Sequence, residues 1–98
     1  MRVGPRVVIE YCPKCGWLLR SAWLAQELLT TFAEKLGEVV LRPAGKAVFR
    51  VSVDQAQVWS RLDDGGFPSV VELKRRVRDR VDPGMDLGHS ERGGGAAG

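Results

Sequence analysis

Val7-Val8-Ile9, inside Arg6–Glu10, is a β-branched run too short for a helix, and it predicts a buried strand. From about Trp17 to Leu36 the apolar period changes. Leu18, Ala22, Ala25, Leu29, Phe32 and Leu36 follow steps of three and four, and Leu24, Leu28 and Ala33 widen the stripe. That width suits a helix packed on a sheet. Gly37 stands where a left-handed residue would stop the helix. Val39-Val40-Leu41, inside Glu38–Arg42, gives a second strand, and strand–helix–strand order predicts a right-handed unit with parallel strands.

Beyond the break at Pro43-Ala44-Gly45 the period is two. Val48, Arg50 and Ser52 alternate with Phe49, Val51 and Val53, then Asp54-Gln55-Ala56 turns the chain into Gln57-Val58-Trp59-Ser60. The expectation is an antiparallel hairpin. Asp63 to Pro68 reads as a loop, with Pro68 near the start of a second helix. Val70, Leu73, Val77 and Val81 share one face of that helix, and Asp82-Pro83-Gly84 ends it. The predicted architecture is α/β, a two-layer β-α-β-β-β-α sandwich with a four-stranded mixed sheet and two helices. Residues 1–83 form its single domain. Residues 84–98, glycine-rich and poor in apolar side chains, are expected to form a flexible tail.

Ninety-eight residues suffice for one domain, and 44 % apolar with 28 % charged residues is an ordinary globular balance. No run approaches the roughly 20 apolar residues of a membrane span, and the N-terminus lacks the apolar core of a signal peptide. A cytoplasmic monomer is expected, without membrane contact. The net charge of +3 comes largely from Lys74, Arg75, Arg76, Arg78 and Arg80. Apolar residues interrupt that run at helical spacing, so it reads as a solvated helix face. No aromatic side chains interleave with it to stack on bases, which argues against a nucleic-acid partner.

Cys12 and Cys15 are the only cysteines, set in Tyr11-Cys12-Pro13-Lys14-Cys15-Gly16-Trp17 between the first strand and first helix. A CxxC spacing lets the sulfurs close a small ring. Cys12 is expected near the helix N-cap with Pro13 at the first helical position, where the missing N–H does no harm. The helix end and Lys14 would stabilise a thiolate, whose pKa in such motifs falls to roughly 3.5–7.5. Gly16 leaves the sulfurs open to approach, and Tyr11 and Trp17 are candidates for an apolar rim. A zinc site would need two more ligands, and the one imidazole, His89, lies in the expected tail. A structural disulfide would be reduced in a cytosol and would close too small a loop to stabilise much. Two plain buried cysteines are the remaining alternative.

Together these segments resemble the selenoprotein W/T/H (Rdx) family, in its bacterial selenoprotein W-like branch with cysteine at the selenocysteine position. The resemblance runs from Val7 to about Val81. It is carried by Val8 to Trp17, Phe49-Arg50-Val51-Ser52-Val53, Val58-Trp59-Ser60-Arg61, Gly66-Phe67-Pro68 and Glu72 to Asp79. It implies a thioredoxin-like fold and a redox motif ending the first strand, with Cys15 at the selenocysteine position. Thioredoxin-like proteins also carry a cis-proline beside the pair. Pro43 is the candidate here, a plain turn proline being the alternative.

The expected function is a thiol–disulfide oxidoreductase, with Cys12 as attacking thiol and Cys15 as resolving thiol. Its partners would be protein thiols or disulfides, with glutathione as a candidate co-substrate and no bound cofactor or metal. The rival is a redox-sensitive protein-binding module without turnover, docking on the Tyr11/Trp17 rim.

Overall fold

The computed structural model describes residues 4–88. Strand β1 (Arg6–Tyr11) lies inside a four-stranded sheet of order β2-β1-β3-β4, with β2 (Glu38–Pro43), β3 (Phe49–Val53) and β4 (Ala56–Ser60). β1 pairs parallel with β2 in the register Arg6 to Glu38 through Tyr11 to Pro43, and antiparallel with β3. The β3–β4 hairpin closes through Asp54, which adopts a positive φ of 55°. Short polar Asp tolerates that conformation better than most residues. A register shift after Val51 bulges β4, and Val58, Trp59 and Ser60 are all buried in succession.

Helices α1 (Leu18–Phe32) and α3 (Val70–Val81) lie on the same face and touch each other, α1 mainly against β2 and α3 against β4. This is the two-layer, thioredoxin-like sandwich that the sequence implies. Alternation on β1 and β3 puts Val7, Ile9, Tyr11, Phe49, Val51 and Val53 into the core, where they meet Leu24, Leu28 and Phe32 of α1. Removing one such fully buried leucine typically costs about 3–5 kcal/mol. Leu73 and Val77 extend the core under α3.

Four details differ from the sequence reading. The buried face of α1 is Ser21, Leu24, Ala25, Leu28 and Phe32, while Leu18 and Leu29 sit half exposed at its edge. The sheet lies under the face centred on Leu24 and Leu28, and two nearly equal stripes cannot be ranked by periodicity alone. The helix also stops earlier, at Phe32. Ala33 takes the positive φ of 45° and opens a 3₁₀ turn (Ala33–Lys35), while Gly37 donates to the Pro5 carbonyl at 2.8 Å.

An extra one-turn helix, α2 (Arg61–Asp64), follows β4 where a loop was expected. Ser60 caps it: its hydroxyl accepts from Asp63 N–H, and Asp64 accepts from Ser60 N–H at 2.9 Å. These reciprocal bonds form a variant of the capping box. Lastly, the fold does not end at Pro83. Met85 packs on the core and Leu87 is buried in it, so the domain extends past the expected boundary into the segment expected to be tail. His89 and the rest of that segment lie outside the described residues.

Candidate functional site

β1 delivers Cys12 at its C-terminal end. Cys12 to Gly16 then forms a separate turn, closed by Gly16 N–H to the Pro13 carbonyl at 3.2 Å. Gly16 has φ +76°, a conformation any side chain would strain. Trp17 is the N-cap of α1, which begins only at Leu18. Pro13 is therefore not the first helical residue, and Cys12 does not sit at the helix cap. Local electrostatic support for Cys12 comes from the Cys15 backbone N–H, 3.2 Å from Cys12 Sγ.

Cys12 and Cys15 are joined as a disulfide, with Cα atoms 5.3 Å apart. Their surroundings are unequal. Cys12 is only 1 % exposed, whereas Cys15 is exposed at the turn. Beside them opens a cleft of about 560 Å³, lined by Cys12, Pro13, Lys14 and Cys15 on one side and Ala44, Gly45 and Lys46 on the other.

The remaining candidates from the sequence separate. Lys14 lines the cleft. Tyr11 is 6 % exposed and belongs to the core, because it continues the inward set Val7 and Ile9; it provides no rim. Trp17 is half buried and does flank the site. Its ring meets Phe67 edge to face at 4.8 Å, and Phe67 leans on Phe49 at 4.9 Å. Arg61 lies over Trp17 at 5.2 Å and Arg20 over Phe67 at 4.2 Å. Pro43 is the last residue of β2, opposite Tyr11, and no peptide bond among the described residues is cis. The residues just after it form the cleft wall, with Ala44 N–H bonded to the Tyr11 carbonyl at 2.7 Å.

Sequence reasoning did not single out Ala44, Gly45, Lys46, Arg61 or Arg20 for the site. The Pro43-Ala44-Gly45 break was the one available signal, since β1–β2 pairing carries whatever follows β2 to the end of β1. Among the described residues, no group of three or more His, Cys, Asp or Glu side chains could hold a metal ion. No helix among them is long and apolar enough to cross a membrane.

On the open face of the sheet Glu10 sits between Arg42 and Arg50, at 3.9 and 3.1 Å, in line across three strands. Farther off, Arg76 donates to Glu72, to Asp64 and to the Val58 carbonyl, and stacks on Trp59 at 4.4 Å. The Ser60 backbone N–H and the Arg76 guanidinium hold the Asp64 carboxyl below its ordinary value. The expected solvated face of α3 is thus partly internal, and Lys74 is buried against Glu27 at 2.9 Å.

A sequence model of the Rdx family matches residues 6–79. A solved structure from Bordetella parapertussis is 54 % identical, with a TM-score of 0.78 over 80 % of this chain and 99 % of that one. A selenoprotein W-related protein from Vibrio cholerae is 45 % identical, with a TM-score of 0.79 over 82 % of this chain and 100 % of that one. Among curated proteins, "Migration and invasion enhancer 1" of Bos taurus is 32 % identical over 77 residues, 76 % of this chain. The chain spans 64 % of the length of that relative.

Proposed function

The chain belongs to the Rdx family, and on that footing we propose that it is a small thiol–disulfide oxidoreductase working through Cys12 and Cys15. The observation that carries the reading is a disulfide between one buried and one exposed cysteine at the mouth of an open cleft. Thiol–disulfide exchange needs in-line access to the attacked or attacking sulfur. Access favours Cys15 for that role, so the assignment of the two thiols is the reverse of the one helix-cap reasoning suggests.

In the reduced protein the Cys15 thiolate attacks a substrate disulfide. A bond forms between Cys15 Sγ and one substrate sulfur, and the other leaves as a thiolate that takes a proton from water. Cys12, held against Cys15 in the same turn, then attacks Cys15 Sγ and releases the second substrate thiol. Two electrons and two protons have passed to the substrate, and the Cys12–Cys15 bond is regenerated. To restore the dithiol, one thiolate attacks Cys15 Sγ and displaces Cys12, and a second attacks that mixed disulfide and carries the first away as their disulfide; an external thiol such as glutathione supplies both. Lys14 and Lys46 beside the sulfurs suit its two carboxylates.

The test is catalytic reduction of a model disulfide with glutathione as reductant, in a cytosol-like reducing buffer. Turnover is expected for the parent, with a loss of more than about a hundredfold in Cys15→Ser. Cys12→Ser should accumulate as a mixed disulfide on Cys15. Parent protein that never turns over, yet captures a partner only in one redox state, would make it a redox-sensitive binding module instead.

A further inference from the structure

A second cleft, of about 230 Å³, adjoins the one at the disulfide and shares Lys46 with it. It runs between the segment entering β3 and the start of α2, past Arg50 and Arg61 to Leu62. Lys14, Lys46, Arg50 and Arg61 line the two clefts, and among the described residues no carboxylate lines either one. Glu10 partly neutralises Arg50 from the open face of the sheet. Arg61 lies over the ring of Trp17, two residues beyond Cys15 in the chain, and Leu62 stands 85 % exposed at the far end.

Cations that outnumber the carboxylates along a concave path produce a positive potential that low-dielectric walls focus. The path also has a direction, from the exposed Cys15 through Lys46 to Arg61 and an apolar side chain. A molecule the size of glutathione, attached at Cys15, would occupy the first cleft and leave the second empty. A longer chain is needed to use both.

We propose that this surface docks an acidic, extended segment of a partner protein, placing the partner's sulfur at Cys15 and its carboxylates along Lys46 and Arg61. The identity of the reaction rests on the oxidoreductase reading, but docking does not.

The test separates the two. A short peptide with glutamates flanking a serine at the cysteine position, and a leucine at one end, is titrated into the folded protein. Gln and Lys counterparts are run beside it, and amide chemical shifts are followed by NMR. The Glu peptide should bind at least about tenfold more tightly than the Gln peptide at low ionic strength. That preference should fade as salt shortens the Debye length to about 3 Å near 1 M. Shifts should cluster at residues 46–50 and 61–62. Lys46→Glu with Arg61→Glu should turn the preference toward the Lys peptide. Lys46→Glu alone, in an exposed loop, should weaken Glu-peptide binding severalfold if the double variant is unfolded. Equal affinity for all three peptides, shifts elsewhere, or an acidic preference untouched by these variants would overturn the proposal. Turnover of uncharged hydroxyethyl disulfide is measured in parallel. A protein that ignores that probe but keeps the acidic preference loses the exchange reading and retains the docking one.

Discussion

Cys15 is open to solvent while Cys12, bonded to it, is 1 % exposed and held by the Cys15 backbone N–H. The asymmetry arises because β1 carries Cys12 into the end of the core, whereas the following turn lifts Cys15 out. After reduction, an alkylating reagent should therefore modify Cys15 at least about ten times faster than Cys12 at neutral pH. Peptide mass mapping of a time course checks this. Equal rates would remove the basis for assigning the two sulfurs different roles.

Phe67 connects the site to the core through Trp17 on one side and Phe49 on the other. Phe67→Ala should lose about 2–3 kcal/mol of stability, less than a fully buried phenylalanine because Phe67 is only partly buried. It should also leave Trp17 looser, with a red-shifted and more readily quenched emission. Chemical denaturation and fluorescence quenching read the two effects, the latter against Trp23→Phe and Trp59→Phe backgrounds.

Lys74 and Glu27 pin α3 to α1 with a 2.9 Å ion pair whose lysine is 5 % exposed. Removing one partner of a buried pair leaves the other charge less well compensated, which is worse than removing both. Glu27→Leu should cost about 2–3 kcal/mol, moderated by the partial exposure of Glu27, and Lys74→Met with Glu27→Leu should cost less than that single change. A double-mutant cycle by urea denaturation measures the difference.

Asp64 and Asp82 both lie below the ordinary carboxyl value of 3.8 in the folded state. The Ser60 backbone N–H is the main cause for Asp64, and the Lys35 ammonium for Asp82. A depressed folded pKa adds stability that is fully present above the unfolded value and disappears as pH falls through the folded one. Stability should therefore be insensitive to these groups at neutral pH and fall below about pH 4. Asp64→Asn should flatten that acid limb while lowering the neutral plateau slightly, as followed by denaturant midpoints from pH 7 to pH 2.5.

The strands were legible because each rests on a local signal: β-branched runs for β1 and β2, alternation for β3. Ser69, which caps α3 by accepting from Glu72 N–H, carries a local signal too, but the sequence reading took the helix start from Pro68 and passed Ser69 over. Misplacements fell where two local choices were nearly equal. Gly37 is the residue best able to take a positive φ, yet Ala33 takes it, because the sheet below α1 fixes where the chain must leave the helix. Met85 and Leu87 looked too sparse to pack, since nothing local reveals that the chain folds back over the core. The run from Lys74 to Arg80 looked like a solvated face, but Glu27 and Trp59, which draw two of its cations inward, come from distant segments.

By itself the sequence determined the order of the four strands and two long helices, the mixed sheet and the pair of sulfurs at the end of β1, because each follows from spacing within a short window. Only the tertiary structure decided which cysteine faces solvent and which cations line the clefts beside it. Those properties depend on β2 lying beside β1 and α2 beside Trp17, and burial and potential are sums over neighbours that the chain order does not reveal.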